Sequence, residues 1–400
     1  MHISLFKRYK NLILFYCLGF FVFSGISSYI TLQYLRLPFS MPEIIVLPFF
    51  FLLRRKLNSL RILGKDIVFA FGISLLLVLI GIMYGQFPVF SMLSSARSWV
   101  YLMLFFFAFS RKNIFTNADI LWTALGSLSA WMIEAFYNYQ NLTRLILEQN
   151  FIATYGLMLG VPIAFSSIMY RKHYSLLIIV LTILSTTIVF AGIRRLMAVV
   201  LISLLTAIYL SFRKGRIGFY RFLVTSVVAL SAFIIVLPQV STYMESSSYG
   251  MYHRVFGKTE EFIQSGELSS SDAGRQSDII SLAENFVDYT IPRGMVSVRT
   301  STDKGAGDFN DYPLLQLFWI FGWPVAIVIV GWLLRLLHLN YRKYVRSKDE
   351  TSMVSINSLF IMFILLFLEG TYIEYPYATP ITGMLLGRAV LNSKTKSIVE

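Results

Sequence analysis

The chain has 400 residues, of which 56% are hydrophobic and only 14% charged, with a mean hydropathy of +0.66; water-soluble domains carry about 25% charged residues, so an ordinary soluble fold is excluded. The formal charge of +14 sits in short basic clusters between apolar stretches, a pattern that sets orientation in a membrane and argues against nucleic acid as a partner. One cysteine, Cys17, cannot build a disulfide framework or a thiolate metal site within the chain.

An all-α polytopic membrane protein follows, because only helices and closed barrels satisfy their backbone in lipid and a spanning helix needs roughly 17 to 25 apolar residues. About twelve stretches meet that measure. The first, Asn11 to Ile30, follows Lys7, Arg8 and Lys10 but is long enough to span and lacks a cleavage site, so it reads as a retained helix. Next come Leu37 to Leu53, Asp66 to Gly85, Val89 to Phe109, Ala118 to Tyr137, Phe151 to Tyr170 and Ser175 to Ile193. Then follow Leu196 to Phe212, Phe219 to Pro238, Pro313 to Leu334, Met353 to Gly370 and Tyr377 to Leu391. The second carries Pro38, Pro42, Glu43 and Pro48, and the last is short and holds Arg388; each also reads as a re-entrant or half-length segment. Most of the 35 Lys and Arg fall in alternate short connections, which places both termini in the cytoplasm. Arg36, Arg144, Arg194 and Arg195 are the outward exceptions in short loops.

This pattern divides the chain into nine helices over residues 1–238, a large polar loop over 239–312, and three helices over 313–400. The loop is rich in Ser, Gly and Asp, is net acidic and faces the outer side. Connections this long are usually functional or disordered. After Ser277 and Asp278 as caps, Ile279, Ile280, Leu282, Ala283, Phe286 and Val287 recur at helical spacing, which predicts an amphipathic helix.

Four features carry chemical information. Gly192-Ile193-Arg194-Arg195 lies between two apolar stretches at the outer boundary. Two guanidiniums there suit a lipid-linked phosphate or pyrophosphate, since each is permanently charged and offers paired donors; the alternative is a snorkelling pair at a helix end. In the large loop, His253-Arg254 follows closely on a span and Arg275 precedes the amphipathic helix, so they can converge on one outer cavity or simply be solvated. Asp308 and Asp311, in Gly307-Asp308-Phe309-Asn310-Asp311-Tyr312-Pro313, suit general-base work at a cavity mouth or, equally, a cap and turn before a helix. Among the charges within spans, Arg97, Glu134, Glu369 and Arg388, Arg97 lies in the outer half of its helix and can add to an anion site.

Together, the span pattern, the Gly192-to-Arg195 junction and the late outer loop make the chain similar to the Wzy-type O-antigen polymerases. These belong with the O-antigen ligases in one membrane glycosyltransferase superfamily. Within the loop, the resemblance rests on Gly274-Arg275-Gln276 through Ala283, on Ile291-Pro292-Arg293-Gly294, and on Asn310-Asp311-Tyr312-Pro313-Leu314 and Gly322. It implies polymerisation of undecaprenyl-pyrophosphate-linked oligosaccharide repeat units at the outer face of the bacterial inner membrane, with no metal and no cofactor. It further implies that Arg194, Arg195, Arg254 and Arg275 stabilise the departing pyrophosphate, that Asp308 or Asp311 is the base, with His253 in reserve, and that a chain-length regulator can act as partner. Many ligases and some polymerases of this type have a histidine before the loop's final asparagine, whereas this chain has Asp308-Phe309-Asn310-Asp311, which disfavours a ligase. A flippase for lipid-linked oligosaccharide is the rival from another class; it has little use for a folded outer loop.

Overall fold

The computed structural model describes residues 12–20, 60–85, 89–111, 115–141, 160–170, 194–213, 286–295, 313–368 and 379–394, with isolated positions from 215 to 284. Among these the regular structure is entirely helical. In chain order the helices are α1 (12–20), α2 (Leu60–Met83), α3 (Val89–Arg111), α4 (Asn117–Asn141) and α5 (Gly160–Met169). There follow α6 (Arg194–Arg213), α7 (Pro313–Phe321), α8 (Trp323–Ser347), α9 (Glu350–Leu368) and α10 (Thr379–Lys394). By length and composition, Gly64–Met83 in α2, all of α8, and Glu350–Phe367 in α9 are long and apolar enough to cross a membrane.

The helix sequence expected over Pro313 to Leu334 is in fact two helices. Gly322 separates them with φ +77, a left-handed conformation that glycine adopts without the Cβ penalty. α7 is therefore a short apolar helix and α8 runs on to Ser347. Helical backbone at Gln239, Thr242, Glu245 and Ser246 extends into the stretch expected to be loop. Ile280 and Glu284 are helical, and the chain turns at Phe286 and Val287, two positions that the apolar spacing places in the amphipathic helix.

The chain forms two compact units. The first contains α1, α4, α5, α6 and residues 344–357. Its polar contacts hold the α8–α9 turn: Tyr344, buried, donates to the Leu210 carbonyl at 2.7 Å, and Asn357 donates to the Ser203 carbonyl at 3.2 Å. The Glu350 carboxylate accepts from Ser167 at 3.2 Å and Asn117 at 3.4 Å. Asp349 caps α9 by accepting from the Ser352 amide at 2.9 Å, satisfying a donor that a helix start leaves unpaired.

The second unit contains α2, α3, the 286–295 segment, α7, α8 through Lys343, α9 from Ser358, and α10. α10 is buried almost all round, as expected of a helix in the interior of a bundle. It lies against α3 with backbones in close approach: a Cβ at Gly387 would stand 2.6 Å from the Phe106 carbonyl, and one at Gly383 would strike that of Leu102. The four-residue spacing puts both glycines on one face, the small-residue arrangement by which apolar helices pack without a hydrophobic driving force. On α8, the fully buried Asn340 donates to the Ala389 carbonyl at 3.1 Å and accepts from Asn392 at 2.7 Å. Lys343 completes this clamp by donating to the Asn392 side-chain oxygen at 2.9 Å. Asn340→Ala strips two interhelical partners and should cost about 1 to 2 kcal/mol, visible as a lower melting temperature of the detergent-solubilised protein.

Candidate functional site

Residues 286–295 fold onto the ends of four helices in the second unit. The sequence Asp288-Tyr289-Thr290 forms a 3₁₀ turn, after which Ile291 and Pro292 lead the chain out in extended form. The Arg293 amide then donates to the Trp319 carbonyl at 2.9 Å, and the Met295 amide to that of Leu77 at 2.9 Å. Gly294 donates to Ile320 at 3.3 Å. The bonds to Trp319 and Ile320 satisfy carbonyls that the end of α7 leaves without helical partners, and the bond to Leu77 ties the segment to α2. Trp323, at the start of α8, donates its indole N–H to Thr290 at 3.0 Å and stacks on Phe286 at 4.9 Å. Beneath the segment, Tyr289 and Met295 join Leu77, Met92, Ala96, Leu315 and Trp319 in one buried apolar cluster.

Gly294 makes the approach possible. Its φ is +77, and a Cβ there would strike the Leu77 carbonyl and the Gly81 amide. Gly294→Ala should therefore cost about 2 to 4 kcal/mol, combining left-handed strain with overpacking, read as a drop in melting temperature and loss of the order imposed on Arg293.

Arg293 is the chemical product of this arrangement. Its guanidinium carbon lies 5.3 Å from the Trp319 ring centroid, 5.4 Å from Tyr289 and 5.8 Å from Tyr84. Ring faces attract a cation at these distances, by about 0.5 to 2 kcal/mol depending on desolvation. Among the described residues no carboxylate pairs with Arg293, and no oxygen accepts from its guanidinium. By contrast Arg111 forms a two-pronged ion pair with Asp66. A half-buried cation whose in-plane N–H groups meet no acceptor among the described residues is suited to a planar or tetrahedral oxyanion.

Burial pushes the Tyr289 phenol above its usual pKa, the neighbouring Arg293 charge works against that rise, and Asp288 adds to it. The ring facing Arg293 is therefore neutral phenol through the physiological range. Its contribution to stability is complete below about pH 10, the unfolded value, and is lost as pH climbs through the raised folded value.

The residues expected from sequence fall differently. Arg97 is half-buried on α3, next to Ala96 of the same apolar cluster and two residues before Trp99, which packs on it. Arg194 and Arg195 open α6; their side chains lie outside the description, as does that of Glu134. His253, Arg254, Arg275, Asp308, Asp311 and Glu369 lie outside the described residues. Arg388 is buried within α10. Arg293 enters the sequence reading only as part of Ile291-Pro292-Arg293-Gly294 in the family resemblance and is not among the expected site residues. The available signal was an arginine fixed between proline and glycine, close after a tyrosine. No protein-family model, curated protein or solved structure matches the chain.

Proposed function

We propose that this protein is a membrane glycosyltransferase of the bacterial inner membrane, with about twelve spans and cytoplasmic termini, that polymerises undecaprenyl-pyrophosphate-linked oligosaccharide repeat units. The observation that carries the proposal is Arg293, an arginine with no carboxylate partner among the described residues, held among three aromatic rings where four helices end or begin. In this reading that end of the helices is the outer face, and the segment from Asp288 to Met295 belongs to the outer loop.

The chemistry needs a cation there. A hydroxyl oxygen of the incoming repeat unit attacks the anomeric carbon of the growing chain, the bond from that carbon to the pyrophosphate oxygen breaks, and the bonding pair leaves with the lipid pyrophosphate. Charge thus builds on the departing group, where preorganised donors in a water-poor site are worth most. Arg293 supplies a fixed guanidinium for that oxyanion, with Arg97, Arg194, Arg195, Arg254 and Arg275 as further contributors. The hydroxyl proton passes to Asp308 or Asp311, or to His253. Sequence, not geometry, supports these additional assignments.

A deletion strain examined by polysaccharide gel tests the activity. A polymerase defect leaves a single repeat unit on each acceptor. Unattached polymer would instead indicate a ligase, and absence of surface product a flippase; either would overturn the proposal.

A further inference from the structure

We infer that the second unit also holds the hydrocarbon chain of its lipid substrate, in an apolar cavity on the far side of α7 from Arg293; this rests on the lipid-linked substrate proposed above. The cavity encloses about 210 Å³ and is walled by Trp99 and Phe106 of α3, Leu317 of α7, Trp332 and Leu333 of α8, and Leu366 of α9. Small-molecule sites usually run to about 300 to 1,000 Å³ and carry a few placed polar groups. This one is smaller, and of its lining side chains only Thr382 bears a hydroxyl. A sugar would leave its hydroxyls unpaired there, at about 1 to 3 kcal/mol each, whereas a segment of hydrocarbon chain would not.

The position supports a chain whose other end is anionic. Trp99 meets Phe321 edge to face at 5.1 Å, and both pack on the Tyr289–Trp319–Met295 cluster beneath Arg293. Leu317 faces the cavity while Trp319, two residues on and so nearly opposite around the helix, faces Arg293. One short helix thus separates an apolar slot from a cation that meets no carboxylate among the described residues. That pairing complements a polyprenyl pyrophosphate, with the phosphates on Arg293 and the isoprenoid chain along α3 and α8. Access is lateral, because Trp332 is 38% exposed and packs edge to face on Phe106 at 5.9 Å, on a helix that is apolar and mostly exposed.

The full-length protein in phosphatidylethanolamine nanodiscs can be irradiated with a benzophenone-tagged polyprenyl pyrophosphate that carries no sugar. Adducts should map to α3 and α8 around the cavity and be competed by untagged undecaprenyl pyrophosphate, but not by inorganic pyrophosphate or phosphatidylglycerol. Leu333→Trp, which fills the slot, should lower adduct yield at least tenfold, while Val328→Trp, on the exposed side of α8, should leave it unchanged. Adducts confined to other helices, equal competition by phosphatidylglycerol, or full labelling of a folded Leu333→Trp protein would overturn the inference. Labelling needs no sugar transfer. Adducts at the cavity in a protein whose deletion spares long polysaccharide would therefore sink the proposed activity alone, and missing adducts with loss of polymer would sink the lipid site alone.

Discussion

Arg293→Ala should reduce chain extension by about 10²- to 10³-fold, the usual cost of removing one donor to a developing oxyanion, while the protein still reaches the membrane and elutes as a single species. Folding should survive because the backbone amide of residue 293, not its side chain, holds the segment to Trp319. The rings of Tyr84, Tyr289 and Trp319 lose a cation but keep their packing. Arg293→Lys should recover only part of the activity: an ammonium keeps the charge but not the planar fork or its stacking on three rings. A long-chain polysaccharide ladder of wild-type intensity from Arg293→Ala would remove Arg293 from the site. Equal activity of Arg293→Lys and wild type would show that charge alone matters.

The second large effect concerns stability. Gly387→Leu should abolish the folded protein, because its Cβ would stand 2.6 Å from the Phe106 carbonyl and 2.9 Å from the Phe109 Cβ. Overpacking of side chains costs about 1 to 3 kcal/mol. Here α3 and α10 must separate along their whole contact, which would also open the Asn340 clamp between α8 and α10. Gly331→Leu provides the contrast, since beyond the local backbone of its own helix no atom lies within 4 Å of a Cβ there; it should behave as wild type. Fluorescence-detected size exclusion in detergent distinguishes the two, with aggregate expected for the first and a single symmetric peak for the second.

Among the described residues the helix pattern was legible because apolar length is a local property, while the stretches Leu37 to Leu53, Ser175 to Ile193 and, but for isolated positions, Phe219 to Pro238 lie outside them. The stretches read as Val89 to Phe109, Leu196 to Phe212 and Met353 to Gly370 coincide within a few residues with α3, α6 and α9. The stretch from Pro313 to Leu334 misled, since an unbroken apolar run hides a break. Gly322 stops α7 through a positive φ and through the Thr290 carbonyl, which a Cβ would meet at 2.6 Å, and that contact is made across more than thirty residues of sequence. Arg293 escaped notice for the same reason. Its three rings come from the end of α2, from the loop and from α7, and no spacing rule links positions 84, 289 and 319. Arg194 and Arg195 stood out instead because a doublet of arginines between two apolar stretches is visible in sequence alone. The last helix was legible as short and arginine-bearing, but its burial depends on Gly383 and Gly387 lying against α3, which only the packed helices reveal.

The most direct test of the central claim uses the purified protein in nanodiscs, with undecaprenyl-pyrophosphate-linked repeat units as the only added substrate. Wild-type protein should convert them, without nucleotide sugars or a second enzyme, into a ladder of longer lipid-linked chains, and Arg293→Ala should leave them as single units. A folded wild-type protein that leaves the single units unchanged would contradict the account.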